Sequence, residues 1–203
     1  MKTFQLIVDN EADDLLGVNA ISIVSAPAIE ADFIALSKQQ KETKFATINE
    51  DKRLLIGPAL IPNKLIYRRR GEGENAFEFN VFMSEDTIRQ VAHLYLKRGF
   101  QNRSTIEHME RIDGVTTVES WIIEDSEKDK SAMFGMNYPV GTWMVMQKVN
   151  NEEIWQNYVK TGEVNGFSIE GYFTEVEVPE MQMSKEVDIE KLILESLYEL
   201  LNS

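Results

Sequence analysis

The sequence contains no cysteine, and this absence excludes several kinds of chemistry. Its 203 residues include 0 Cys and 2 His, so disulfides, thiolate metal sites, a cysteine nucleophile and a multi-histidine zinc site are all excluded or unfavourable. The chain also lacks a glycine-rich phosphate loop, a His-Glu-x-x-His motif and a Gly-x-Ser-x-Gly elbow. NTPases, zincins and α/β-hydrolases are therefore set aside, and no cofactor is expected.

Positive charge is scarce as well. The chain has 21 Lys and Arg against 34 Asp and Glu, a net charge of −13, which repels phosphate backbones and argues against nucleic-acid binding. The one dense basic patch, Arg68 to Arg70, precedes Gly71-Glu72-Gly73-Glu74 and is interpreted as a hairpin tip. Apolar runs fall short of the roughly 18 residues of a membrane span, and the N-terminus does not resemble a signal peptide. We expect a soluble, intracellular protein without a membrane partner.

What is present indicates a β-rich domain. Hydrophobic residues make up 43% of the chain, and about seven extended segments surround two internal helices. Residues 54–61 and 64–67 flank Pro62-Asn63 and are typical of a hairpin, and Ser84 is a helix cap. The pattern predicts an α+β, β-rich fold: a small mixed or antiparallel β-barrel with flanking helices. Residues 36–52 are expected to form a polar loop.

The segment from Asn165 to Phe173 holds the first candidate site residue. Because strand side chains alternate with period two, Ser168, Glu170 and Tyr172 are predicted to share one face, opposite an aromatic and aliphatic face. Ser168 is therefore a candidate nucleophile on a rigid element, although an ordinary strand serine has the same pattern. Glu170 is interpreted as a substrate-contacting or surface group.

A serine nucleophile needs a base, and the base usually needs a third group to orient it. His108 is the candidate base because it lies in an extended part of the chain, whereas His93 lies off the apolar stripe of a helix. A solvent-exposed histidine at a strand end is the alternative for His108.

Glu119 is the candidate third group. It lies in a row with Val115, Thr117, Trp121 and Ile123, where a buried carboxylate would need a partner. The other interpretation places the opposite row, from Thr116 to Ile122, inside and leaves Glu119 exposed. Both interpretations remain open at the level of sequence.

Several motifs together resemble the prohead (capsid maturation) serine proteases of tailed phages, which are similar in fold to herpesvirus assemblin. The resemblance covers roughly residues 52–175 and is most specific in the segment from Asn165 to Gly171. The motifs are His108, Thr117-Val118-Glu119-Ser120-Trp121, Gly141-Thr142-Trp143, the segment from Lys148 to Trp155 and the segment from Gly162 to Gly171.

The resemblance implies a protease domain over residues 1–178, with Ser168 as nucleophile, His108 as base and Glu119 as third member. Residues 179–203 are then expected to form an acidic linker and a C-terminal amphipathic helix that begins at Asp188. The implied function is cleavage of phage scaffold and major capsid proteins inside the immature capsid, in the host cytoplasm, by an enzyme expected to be a homo-oligomer.

Two alternatives come from other functional classes. Some relatives carry arginines after the serine, whereas Gly171-Tyr172-Phe173 stands here, and this favours a phage structural or scaffold-associated protein that keeps the barrel without turnover. The other alternative is an acidic peptide-binding module unrelated to phages. The segment from Ile21 to Ala28 resembles one that follows the serine strand in many relatives, which suggests a permuted connectivity.

Overall fold

The computed structural model describes residues 1–30, 34–36 and 52–179. Residues 37–51 of the predicted polar loop lie outside the described residues. The same is true of residues 180–203, which include the predicted C-terminal amphipathic helix.

The described ranges contain twelve strands and two helices, in the order β-β-β-β-β-β-α-β-β-β-β-α-β-β. The strands are β1 Lys2–Ile7, β2 Gly17–Val24, β3 Ile34–Leu36, β4 Leu54–Leu60, β5 Ile66–Arg70, β6 Phe77–Phe82, β7 Ser104–Ile106, β8 Glu110–Ile112, β9 Val115–Ile122, β10 Trp143–Val149, β11 Gly166–Tyr172 and β12 Thr174–Glu177. The helices are α1 Glu85–Lys97 and α2 Glu152–Ile154, which continues as a π turn over Trp155–Val159.

The strands form three sheets of four strands each. The first sheet has the order β12-β1-β6-β5, the second β3-β4-β10-β9 and the third β11-β2-β7-β8. The α+β, β-rich class is confirmed. Within the described part of the chain the sheets do not close into a barrel, and no helix there is long and apolar enough to cross a membrane.

The predicted hairpin around Pro62-Asn63 is wrong, because its two arms belong to different sheets. β4 pairs with β3 and β10, whereas β5 pairs with β6. β4 is buried along nearly its whole length, but β5 is exposed and carries Arg68, Arg69 and Arg70. An apolar strand such as β4 is stable where both of its faces are covered, whereas a charged strand such as β5 is suited to the exposed edge of a sheet. The turn between the two strands therefore leads from one sheet to another.

Local capping signals are realised at α1. The Ser84 hydroxyl accepts a hydrogen bond from the Thr87 amide at 3.4 Å, and Glu85 and Asp86 lie in the first turn, where they complement the helix dipole. The predicted stripe of α1 is buried, and His93 is exposed. Tyr95 of α1 packs edge-on against Trp143 in the main core.

The second sheet has apolar packing on both faces of β10. Trp143, Val145 and Val149 enter the main core, while Met144 and Met146 enter a smaller cluster on the other face. The segment between β9 and β10 contributes Met136 to that smaller cluster. This face of the sheet is therefore covered by chain that follows β9.

Candidate active site

Three hydroxyl side chains form a row across the third sheet. Ser168 on β11 pairs with Ser22 on β2, and Ser22 pairs with Thr105 on β7. Directly paired residues point to the same face of a sheet, so strand register alone aligns the three hydroxyls. Ser22 is fully buried and Ser168 is 6% exposed. The row places the candidate nucleophile one strand away from the segment that carries His108.

The prediction that His108 lies in an extended part of the chain is wrong, because the residue lies in a tight turn between β7 and β8. Glu107 and His108 have φ values of 50° and 58°, a left-handed conformation that non-glycine residues adopt only when their surroundings support it. Here the Glu107 amide donates to the Ile23 carbonyl at 3.1 Å, and the His108 amide donates to Ser22 Oγ at 3.1 Å. The Glu107 carboxylate also accepts the Ser25 amide at 2.6 Å. These bonds direct the imidazole toward β11.

The carboxylate that contacts this imidazole is Glu170. His108 Nδ1 lies 3.1 Å from Glu170 Oε1, and the Thr105 hydroxyl donates to the same oxygen. Glu170 can reach across β2 because the residue paired with it there is Ala20, whose side chain is too small to intervene. When Nδ1 carries the proton and donates to Glu170, Nε2 is left as the basic nitrogen.

Ser168 and Glu170 are spaced to contact one imidazole from two sides. They lie two residues apart on the same face of β11, a separation of roughly 6.6 Å along a strand. An imidazole with a hydrogen bond at each nitrogen spans a similar distance. Among the described residues, the imidazole bonds with Glu170 and makes no hydrogen bond to Ser168 Oγ. Such contacts are often loose without substrate and tighten when it binds.

Glu119 has a different partner. Its carboxylate forms an ion pair with Lys130, and the Lys130 ammonium lies 5.3 Å from the centre of the Trp121 ring. The Trp121 indole donates to Asp129 at 3.0 Å. Burial would raise the pKa of Asp129, but hydrogen bonds from Ser131 and Trp121 lower it. The structure therefore brings His108 together with Glu170 and Glu119 together with Lys130.

A β-bulge explains why Glu119 faces away from the main core. Along β10, Gln147 pairs with Thr117 but the next residue, Met146, pairs with Glu119, so Val118 is the extra residue. A bulge reverses the alternation of the residues that follow it. Thr117 is accordingly buried, whereas Val118 is 48% exposed and Glu119 points outward. Before the bulge, the row that contains Val115 and Thr117 is buried, as in the first interpretation. After the bulge, Ile122 of the opposite row packs against the main core, as in the second interpretation.

Comparison with models of known protein families gives a match over more than half of the chain. Residues 49–177 of the 203 match the model of the family described as "Putative phage serine protease XkdF". This chain belongs to that family.

Among curated proteins, a similar one is the "Uncharacterized protein YqbD" of Bacillus subtilis (strain 168), which is 26% identical over 174 residues. The alignment covers 86% of this chain and 50% of that protein, so the chain spans half the length of this relative. No solved structure matches the chain significantly.

The region shared with the phage serine protease family contains His108, Glu119, Ser168 and Glu170, whereas β2 precedes it. Ser22 therefore lies outside the matched residues although it lies between β11 and β7 in the sheet. Sequence reasoning did not single out Ser22 or Thr105, because only strand register relates them to Ser168. For Glu170 a signal existed, since its alternation with Ser168 is visible in the sequence.

Beside the row of hydroxyls lies a cavity of about 380 Å³, to whose lining Ser168 contributes. Its other walls include residues of all four strands of the first sheet, the end of β4 and the residues that follow Ser168 on β11. Gly171, which also lines the cavity, permits the close approach of β11 to β2, because a Cβ at that position would lie 2.1 Å from the Gly17 carbonyl oxygen. The candidate nucleophile Ser168 thus borders a space large enough for an amino-acid side chain.

Proposed function

We propose that the chain is a serine endopeptidase in which Ser168 is the nucleophile, His108 the general base and Glu170 the orienting carboxylate. The observation that carries the proposal is the 3.1 Å contact between His108 Nδ1 and Glu170 Oε1, two residues along the strand from Ser168. Membership in a family described as a phage serine protease supports the same reaction class.

The reaction would proceed in two stages, acylation of Ser168 and hydrolysis of the acyl-enzyme. Ser168 Oγ bonds to the carbonyl carbon of the scissile peptide while its proton moves to His108 Nε2, giving a tetrahedral intermediate. The C–N bond then breaks and Nε2 returns the proton to the leaving amine. In the second half, water loses a proton to His108 Nε2 and attacks the ester carbonyl of the acyl-enzyme. The ester bond breaks, the proton returns to Ser168 Oγ, and the carboxylic acid product is released. Glu170 stabilises the imidazolium that forms in each half.

Glu119 was the third member expected from the family resemblance, and the geometry supports Glu170 in that position instead. Glu170 contacts the imidazole, whereas Glu119 is neutralised by Lys130. The proposal therefore assigns Glu119 to the surface of β9 and gives it no step in the reaction.

The proposed substrates are the scaffold and major capsid proteins of a phage, cleaved inside the immature capsid in the host cytoplasm by an assemblin-like enzyme that acts as a homo-oligomer. The family description supports a phage context, and the match to half of a longer relative leaves these partners as proposals. A phage structural protein without turnover is the alternative.

Labelling with a fluorophosphonate tests the proposal directly. Intact-mass analysis of the wild-type protein is expected to show one adduct, and peptide mapping should locate it on Ser168. Ser168→Ala is expected to abolish labelling and lower peptide cleavage by about 10⁴-fold or more. His108→Ala should slow labelling strongly, because the hydroxyl then lacks its base.

The chain offers a matched control for the histidine variant. His93 is the other histidine, and it is exposed on α1, so His93→Ala should label like the wild type. Equal labelling of wild type and Ser168→Ala, with both folded by circular dichroism, would overturn the proposal and favour the structural alternative.

A further inference from the structure

The cavity beside Ser168 combines apolar walls with positive charge. Leu6, Ile66, Phe79 and Val81 supply apolar surface from three adjacent strands of the first sheet. The charged residues of the lining are Lys64, Arg68 and Arg70, together with the carboxylate of Glu175. The chain as a whole carries a net charge of −13, whereas the residues that line this cavity carry a net positive charge.

Two of the three cations are already neutralised. Lys64 Nζ lies 3.3 Å from Glu30 Oε2, and Arg70 Nη2 lies 2.7 Å from Glu175 Oε1. Each of these side chains has a carboxylate partner within the protein, so neither has a strong electrostatic need for a ligand.

Arg68 is different. Its Nη1 donates to the carbonyl of Tyr67 at 3.1 Å, and within the described residues no carboxylate forms an ion pair with it. Although Arg68 keeps access to solvent, desolvation by the surrounding protein lowers its pKa. A guanidinium that is partly desolvated and lacks an anionic partner is stabilised when a carboxylate enters the cavity, since the two groups can form paired charge-assisted hydrogen bonds.

We propose that this cavity is a specificity pocket that takes an acidic side chain of the substrate, with Arg68 as the specificity-determining residue. The inference deepens the proposed function and rests on it, because it assumes that the peptide bound in the pocket is presented to Ser168. The apolar strands would contact the methylene groups of a glutamate, and Arg68 would bind its carboxylate. The pocket would thus favour glutamate over the isosteric, uncharged glutamine.

The neighbouring arginine provides a matched control. Arg69 follows Arg68 on β5, and alternation directs its side chain to the opposite face of the strand. Its paired residue on β6 is Glu78, and it does not contribute to the cavity. Arg68→Gln and Arg69→Gln change the net charge equally, so a difference between them reports on the cavity and not on the charge of the surface.

The first measurement uses the Ser168→Ala background, where binding is read without turnover. The probe is a fluorescein-labelled peptide of alanine and leucine with one central glutamate, compared with its glutamine twin by fluorescence anisotropy. We expect the glutamate peptide to bind at least about tenfold more tightly, the lower limit for a hydrogen bond to a charged group. Arg68→Gln should remove this preference, and Arg69→Gln should keep it.

The second measurement uses the wild-type serine and quenched fluorogenic versions of the same peptides. Cleavage should favour the glutamate peptide by a similar factor, and Arg68→Glu should transfer the preference to a lysine twin. Glutamate-selective binding that depends on Arg68, without cleavage of any peptide, would support the pocket and count against the serine endopeptidase. Cleavage of the glutamate and glutamine peptides at equal rates, or equal binding of the two, would overturn the pocket while leaving the reaction standing.

Discussion

Glu170 and Glu119 are both strand carboxylates that contact a basic side chain, yet the basic side chains differ. Glu170 accepts a hydrogen bond from the Thr105 hydroxyl and contacts the His108 imidazole. The strand that carries Glu170 also borders the cavity. Glu119 is paired with Lys130 on the outer face of β9. An imidazole can take and return a proton near neutral pH, whereas a lysine ammonium holds its proton there.

The two residues are of the same type, so their expected roles in the reaction differ because of the side chain that each one contacts. The pair of Glu170 and His108 leaves a basic nitrogen next to a serine strand. In the pair of Glu119 and Lys130, the two charges neutralise each other and no basic nitrogen is left for a reaction; both side chains are partly exposed. Two predictions test this contrast directly, and a third concerns the buried face of the strand that carries Glu119. They are given in order of decreasing effect.

Replacing Glu170 should have the largest effect. Glu170→Gln keeps the size of the side chain but removes the negative charge that stabilises the imidazolium, and kcat should fall by about 10²- to 10⁴-fold with little change in stability. The measurement is kcat and KM for a quenched peptide together with the rate of fluorophosphonate labelling. A variant that retains the wild-type labelling rate would show that Glu170 does not orient His108.

The inner face of β9 should matter for stability at high pH. Tyr95 Oη bonds with Thr117 Oγ1 at 3.0 Å, and burial raises the pKa of Tyr95 from 10.0 to about 12, although the Thr117 hydrogen bond opposes the shift. The unfolded chain then loses this proton first, so the stabilisation is complete below pH 10 and declines as pH rises toward 12. The total decline is about 3 kcal/mol.

Tyr95→Phe should make the free energy of unfolding less dependent on pH in this window, which denaturant titrations at successive pH values can measure. Tyr172, 67% exposed, is the matched site, and Tyr172→Phe should keep the wild-type slope. The same slope in Tyr95→Phe as in wild type would contradict the burial argument.

Replacing Glu119 should have the smallest effect. Glu119→Gln breaks a partly exposed ion pair, which contributes roughly 0 to 1 kcal/mol, and kcat should change less than about twofold because the proposed reaction does not use this group. Thermal unfolding and the same peptide assay check both numbers. A loss of activity as large as that of Glu170→Gln would restore Glu119 as the third member of the site.

Much of the local structure could be predicted because it depends on neighbouring residues. The Ser84 cap and the apolar stripe of α1 follow from patterns a few residues long, and both are present. Alternation alone puts Ser168 and Glu170 on one face. The hairpin around Pro62-Asn63 failed because a turn signal does not report which sheet each arm joins.

The β-rich class and the start of α1 therefore followed from the sequence alone, since side-chain periodicity and capping are local properties of the chain. Only the tertiary structure decided which carboxylate meets His108. That choice depends on β2 lying between β11 and β7, on the small Ala20 opposite Glu170, and on one extra residue, Val118, in β9. Register between strands distant in sequence is set by packing of the whole sheet, and a shift of a single residue turns a side chain to the other face.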